Sequence, residues 1–148
     1  MADLSVGRSK LLLAWVVMIA MIAVHVLDEM ISDFLPFYNQ LVLDLREKVG
    51  FFPAPTFSFW MWMGGLIGGI VICFALTPLV ARGSKFIRIF TTALGVIMIF
   101  NALLHIGMSV YYGQLVPGFW SSPFLLVAAV LVVVWGVRGR GGPADSAI

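Results

Sequence analysis

Long apolar runs, separated by short polar segments, dominate the pattern of hydrophobic and polar positions along the chain. A transmembrane helix needs about 20 predominantly apolar residues. By this measure the pattern predicts four spans, at about residues 11–30, 57–80, 87–111 and 121–137. We therefore expect an all-α fold, in which residues 1–148 form a single integral membrane domain built as a bundle of four transmembrane helices.

The longest polar segment separates the first two apolar runs and still contains apolar residues at regular intervals. Leu41, Leu45 and Val49 recur at helical spacing, whereas charged residues occupy another face of the same helix. This pattern predicts an amphipathic helix over about residues 39–49 that lies at the membrane interface. Pro36 is expected to lie outside the helix, because proline interrupts helices.

Composition agrees with a membrane protein. The chain is 61% hydrophobic and 11% charged, whereas ordinary soluble domains are about 45–50% apolar. Membrane lipids are therefore the expected surroundings, and the few basic residues give no reason to expect nucleic-acid binding. The single cysteine, Cys73, excludes an internal disulfide and any metal site of the multi-cysteine type.

The positions of the basic residues predict the orientation of the spans. With four spans, one side of the membrane holds both termini and seven of the nine Lys and Arg residues, namely Arg8, Lys10, Arg82, Lys85, Arg88, Arg138 and Arg140. The positive-inside rule places this side in the cytoplasm. We expect an inner (plasma) membrane protein with cytoplasmic termini. The first apolar run is expected to be a retained span and not a cleaved signal peptide, because no small-x-small cleavage motif follows it.

Two polar clusters interrupt the apolar runs. His25, Asp28 and Glu29 stand at i, i+3 and i+4 on one helix face, and Asn101 and His105 stand at i and i+4 on another helix. Ionisable groups inside a membrane are costly and usually functional. His25 would lie about 21 Å, and His105 about 27 Å, from the cytoplasmic start of its span. The clusters are therefore expected to share one site in the outer half of the bilayer.

These motifs resemble the HXXEE-motif family of small integral membrane proteins. The resemblance rests on His25-x-x-Asp28-Glu29, on Asn101-Ala102-x-x-His105, and on Tyr112 and Pro117-Gly118 before the last apolar run. It implies a membrane enzyme built on the histidines and acidic residues, with no settled reaction. Asp28 departs from the motif, since it stands where the first glutamate is expected, and its carboxylate is one methylene shorter.

One hypothesis from the residue types is a metal site. His25, Glu29 and His105 could bind zinc with an open position, or Fe(II) as two histidines and a carboxylate. Asp28 would be a fourth ligand, a hydrogen-bond partner of a ligand, or a general base. Asn101 would orient His105 or a bound water.

A second hypothesis uses the same catalytic groups, His25, Asp28, Glu29 and His105, without a metal. They would exchange a proton with a lipid-like substrate that enters from the bilayer. In either version, Tyr111 or Tyr112 is expected to close the site at the outer interface, where tyrosine is enriched.

Two further classes of function stay open. A proton relay or transporter ranks third, because spans without a predicted break offer little machinery for alternating access. An accessory or structural subunit is the main non-catalytic alternative, in which the polar residues only hold helices together. Small residues at close helical spacing predict a helix contact, in a homo-oligomer or a membrane complex, at Gly64, Gly65, Gly68 and Gly69.

Overall fold

The computed structural model describes residues 2–138, and this part of the chain is helical apart from its connecting segments. The helices are α1 (Ala2–Ile31), α2 (Phe34–Val49), α3 (Phe59–Ala75), α4 (Thr77–Arg82), α5 (Lys85–Tyr112) and α6 (Ser122–Arg138). The predicted all-α class is confirmed. Arg140, one of the basic residues used for the orientation, lies outside the described residues.

Three stretches are long and apolar enough to cross a membrane, and they correspond to the first three predicted spans. They are Val6–Ile31, Phe59–Arg82 and Lys85–Tyr112. The fourth predicted span forms α6, a shorter apolar helix of 17 residues. The helices are therefore compatible with membrane insertion by length and composition.

The second predicted span is divided at Leu76, although no break was expected in it. Helix α3 ends at Ala75, and α4 begins at Thr77 with Pro78 in its first turn. Proline has no N–H group, and its ring would clash with the carbonyl four residues earlier in a continuous helix. Pro78 is therefore the sequence signal for this break.

Helix α2 begins earlier than predicted, at Phe34, and Pro36 lies inside its first turn. Proline is tolerated there, because the first N–H groups of a helix have no partner within it. Asp33 makes the turn from α1 with a left-handed backbone, φ 59°. The residues that α2 buries are Leu35 and Val42, so its buried face differs from the predicted stripe.

Helices α1 and α5 run in the same direction. Trp15 meets Phe90 in their first halves, with 6.4 Å between ring centroids, and His25 meets His105 near their ends, with 4.8 Å between centroids. Helix α6 runs back along both of them. The most deeply buried apolar side chains of this core are Trp15, Met18, Ile19, Val80, Leu125 and Val132.

Close packing between α5 and α6 relies on glycine. A Cβ atom at Gly95 would lie 3.0 Å from Cγ2 of Val133 and 3.2 Å from the carbonyl oxygen of Ala129. Gly136 of α6 likewise lies directly against the Thr92 side chain. A side chain at either position would push the two helices apart.

The glycines of α3 behave differently. A Cβ atom at Gly64, Gly65, Gly68 or Gly69 would meet nothing within 4 Å. This glycine face therefore contacts no other helix within residues 2–138. Its contact with a second copy or with a membrane complex stays a prediction.

Basic side chains gather at the end of the bundle away from the histidines. Lys10 and Arg138 lie over the Trp135 ring, at 4.6 Å and 5.2 Å from its centroid. Arg8 lies against Gly83, in the turn between α4 and α5. This arrangement agrees with a shared basic side, whose location in the cytoplasm stays a prediction.

Candidate metal centre

His25, Glu29 and His105 converge where α1 and α5 come together near their C-terminal ends. Glu29 Oε1 lies 3.4 Å from His25 Nε2 and 3.2 Å from His105 Nε2. One ligand atom from each of the three residues lies within 4.8 Å of the others. All three residues are buried, with at most 5% of their surface exposed.

Helical spacing explains how the sequence builds this cluster. His25 and Glu29 are one turn apart on α1, so both point to the same side of the helix. His105 lies on the buried face of α5, together with Ala102 and Ser109. Because α1 and α5 run in parallel, their polar residues meet at the same level.

The Nδ1 atom of His105 is held by the main chain. It lies 2.6 Å from the carbonyl oxygen of Pro117. A carbonyl oxygen only accepts hydrogen bonds, so Nδ1 carries the proton and donates it. In the neutral ring, Nε2 is then an unprotonated acceptor, and it faces Glu29.

The Nδ1 atom of His25 is held through a serine. It lies 2.7 Å from Ser121 Oγ, and that hydroxyl lies 2.7 Å from Asp28 Oδ2. The carboxylate only accepts, so the hydroxyl donates to Asp28 and accepts a hydrogen bond from His25 Nδ1. The Ser121 backbone N–H also donates to Asp28 Oδ2, at 2.9 Å. His25 Nε2 is consequently an acceptor, and it has no hydrogen-bond partner.

With neutral rings and an ionised Glu29, three lone-pair donors thus face one another. Ligand atoms at about 2.0–2.2 Å from a tetrahedral zinc ion lie about 3.3–3.6 Å apart. Two of the three separations, 3.2 Å and 3.4 Å between the Nε2 atoms and Glu29 Oε1, are close to this spacing, and all three ligand atoms lie within 4.8 Å of one another. The hydrogen bonds at both Nδ1 atoms are of the kind that orient metal-binding histidines.

The connection between α5 and α6 forms a wall of the site. Gly118 has φ 82°, and a Cβ atom there would lie 2.8 Å from His105 Nδ1 and 3.1 Å from His25 Cε1. Its backbone N–H donates to Ser32 Oγ, at 3.4 Å, and Ser32 in turn donates to the Asp28 carbonyl. Only glycine fits here without moving the histidine rings.

Aromatic side chains cover the other side of His105. The Phe34 ring lies 5.3 Å from the His105 ring, centroid to centroid, and also contacts Tyr38 and Trp62. Tyr112 instead packs against Phe37 and is 44% exposed. The ring that the structure places on the site is therefore that of Phe34, at the start of α2.

Two other candidates from the sequence lie next to the cluster. Asp28 stands outside the group of three ligands and binds Ser121. Asn101 makes no hydrogen bond to His105, whose Nδ1 atom is taken by Pro117. The Oδ1 atom of Asn101 is buried and has no hydrogen-bond partner.

Sequence reasoning missed Ser121, the Pro117 carbonyl, and the close fit of Gly118 and Phe34. Pro117-Gly118 signalled a turn, but a turn signal does not say what the turn touches. Ser121 stands just before an apolar run, where a serine is usually read as a helix cap. Pro117, Gly118 and Ser121 belong to the site because the connection between α5 and α6 contacts the end of α1, and only the tertiary structure shows that contact.

Comparison with known proteins identifies a family. Residues 15–133 match the family described as protein of unknown function with HXXEE motif. The matched region contains the cluster, the Asp28–Ser121 pair and the connection between α5 and α6. No curated protein and no solved structure matches the chain.

Proposed function

The chain belongs to the HXXEE-motif family, whose function is unknown, and we propose that it is a membrane-embedded metalloenzyme acting on a lipid-like substrate. In this proposal His25, Glu29 and His105 bind one Zn²⁺ or Fe²⁺ ion. The observation that carries it is the convergence of two acceptor Nε2 atoms and a buried carboxylate on one point.

Charge favours a cation at this point over a metal-free site. With both Nδ1 atoms protonated, neutral histidines and an ionised Glu29 present only acceptors to each other. A single added proton between Glu29 and one ring would leave the Nε2 atom of the other ring without a partner, and protonating both rings would bury two imidazolium groups whose centroids are 4.8 Å apart, which is costly. One divalent ion satisfies all three acceptors, and the Glu29 carboxylate compensates part of its charge.

Three protein ligands suit a catalytic ion, because catalytic zinc keeps a coordination position open for water or substrate. A bound ion would act there as a Lewis acid or would activate a water molecule. Residues of the chain orient the ligands around this open position and shield it. Ser121 and the Pro117 carbonyl hold the histidine rings, and Phe34 excludes bulk water from the side of His105.

The lipid-like substrate follows from the surroundings of the site. At the level of the site, the outer faces of both helices carry exposed apolar residues, Val24 and Leu27 on α1 and Leu104 on α5. In a bilayer these side chains would face acyl chains, so acyl chains would surround the bundle at the level of the site, which favours a substrate dissolved in the membrane. We place the site in the outer half of the membrane, as the basic residues predict.

The test is the metal content of the purified protein, measured by elemental mass spectrometry. Wild-type protein loaded with Zn²⁺ or Fe²⁺ should retain about one ion per chain after dialysis, and His25→Ala, His105→Ala and Glu29→Gln should retain less. Asp44→Asn on α2, whose side chain contacts Gln40, is the control. Equal retention in all of these proteins, or none in the wild type, would contradict the proposal.

A second candidate function is suggested by α3, whose glycine face contacts nothing within the described residues. Exposed small residues at this spacing favour close approach of another membrane helix. We propose that this face joins a second copy or a larger membrane complex, as an accessory subunit would. The two functions are compatible, because the glycine face and the metal ligands lie on different helices.

A further inference from the structure

Asn101 presents a buried hydrogen-bond acceptor that the chain itself leaves unused. Its Oδ1 atom has no partner, and the other buried side-chain atom without one is His25 Nε2, among the residues that the structure describes. A buried acceptor without a partner is destabilising. His25 Nε2 belongs to the proposed metal site, so Asn101 Oδ1 calls for a ligand of its own.

The position of Asn101 on α5 shows where such a ligand would come from. Ile97, Asn101 and His105 follow one another at intervals of four residues, so they form one ridge with about 6 Å of helix rise per step. Exposure falls along this ridge: Ile97 is 57% exposed, Asn101 is half-buried, and His105 is 5% exposed. The ridge leads from an exposed apolar surface, past an acceptor, to a metal ligand.

We propose that Asn101 binds the hydroxyl group of an alcohol substrate, which makes the substrate a long-chain or otherwise apolar alcohol. This inference rests on the proposed function, since the same hydroxyl oxygen would approach the metal ion. The apolar part of the substrate lies along the ridge at Ile97, and its polar end reaches His105.

A hydroxyl group meets both requirements of this position at once. Its hydrogen atom is donated to Asn101 Oδ1, and its oxygen lone pairs face the cation. An ammonium group would donate, but the ion would repel it. An ether or a ketone could face the ion, but it has no hydrogen atom for Asn101, so the buried acceptor would stay unpaired.

The experiment compares 1-dodecanol with dodecyl methyl ether, which keeps the oxygen but has no donor. Each probe is titrated into ¹⁵N-labelled, Zn²⁺-loaded protein, and the side-chain amide signals are followed by NMR. The chain has few such groups, on Asn39, Gln40, Asn101 and Gln114, and Asn101→Leu assigns the relevant signal. Asn39 is an internal control, because its carboxamide already pairs with the backbone of Phe57.

The alcohol should shift the Asn101 amide signal and leave that of Asn39 unchanged. The ether should bind at least about tenfold more weakly, because it leaves the acceptor unpaired. In Asn101→Leu and Asn101→Ala this preference should disappear, while zinc content stays as in the wild type.

The outcomes separate the two proposals. Zinc-loaded wild type that responds equally to both probes, or to neither, overturns the alcohol inference and leaves the metal site intact. Wild type that retains no metal overturns the proposed function and this inference with it. If Asn101→Leu still prefers the alcohol to the ether, another residue binds the hydroxyl group, and the role of Asn101 is overturned.

Discussion

Ser121 decides which nitrogen of His25 faces the cluster. Its hydroxyl donates to Asp28 and accepts from His25 Nδ1, so Nε2 is left with its lone pair toward Glu29. The shortened carboxylate of Asp28 therefore serves in binding the loop, and it is not among the clustered ligand atoms. These hydrogen bonds to Ser121 explain why an acidic residue stands at position 28, without a bond between Asp28 and a metal ion.

Ser121→Ala is expected to weaken zinc binding by about 10–100-fold, the usual effect of removing the partner of a metal-binding histidine. Histidine ¹⁵N chemical shifts should also show a mixture of tautomers at His25. Ser122→Ala is the matched control, since Ser122 is buried and its hydroxyl donates to the Gly118 carbonyl, whereas His25 Nδ1 bonds Ser121. Unchanged affinity in Ser121→Ala would contradict the role of Ser121.

Gly118→Ala should also weaken zinc binding, because its Cβ atom would press on both histidine rings. The matched control is Gly113→Ala. Gly113 has φ 64°, so alanine is strained there too, but nothing lies within 4 Å of its added Cβ. In zinc titrations, Gly118→Ala should lose more affinity than Gly113→Ala, because only Gly118→Ala displaces the histidine rings. Equal losses of zinc affinity in the two variants would show that backbone strain alone is responsible.

At the scale of helices, the close packing within residues 2–138 involves other glycines than those of α3. The spacing in α3 indicates that another helix could approach, but it does not say whether one is present. The glycines of α5 and α6 that contact the facing helix are Gly95 and Gly136. Gly95 lies 12 residues before Gly107, the other glycine of α5, and Gly136 is the single glycine of α6. An isolated glycine in an apolar helix gives no periodic signal, so only the tertiary structure reveals its partner.

Gly95→Leu is expected to destabilise the protein, typically by about 1–3 kcal/mol or more, because a large side chain would force α5 away from α6. Gly68→Leu should leave the thermal stability of the monomer unchanged but should shift its oligomeric profile. Melting curves and size-exclusion profiles in detergent provide the measurements. If neither quantity changes in Gly68→Leu, the α3 face meets only lipid.

The parts of the site that follow from helical spacing could be predicted, and the parts made by loops could not. His25 and Glu29 point the same way because they lie one turn apart, and the cost of ionisable groups in an apolar span requires partners for them. The Pro117 carbonyl is a backbone group, which no residue pattern distinguishes. Helix α2 similarly begins before Pro36, because the first turn of a helix accepts proline.

At the scale of the whole molecule, one group of basic residues and the histidines mark opposite ends of the bundle. Arg8, Lys10 and Arg138 lie near the start of α1 and the end of α6, whereas His25 lies about 25 Å further along α1. If the bundle crosses a membrane as proposed, the basic end is cytoplasmic and the site lies toward the outer surface.

Thiol labelling in intact cells tests this orientation. In a Cys73→Ala background, Phe86→Cys, beside Lys85, should be shielded from an impermeant reagent, whereas Phe51→Cys should react. Both phenylalanines are 79% exposed, so accessibility within the protein is matched. Permeabilised cells should label both positions. Labelling of Phe86→Cys in intact cells would reverse the orientation.

The central claim is that His25, Glu29 and His105 bind the same ion, and X-ray absorption at the metal edge tests it most directly. Zinc-loaded wild-type protein should give two imidazole nitrogens and a carboxylate oxygen at about 2.0–2.2 Å from the metal. His105→Ala should lose one imidazole from this shell. A shell of oxygen atoms only, the same in the wild type and in the double variant His25→Ala/His105→Ala, would contradict the claim.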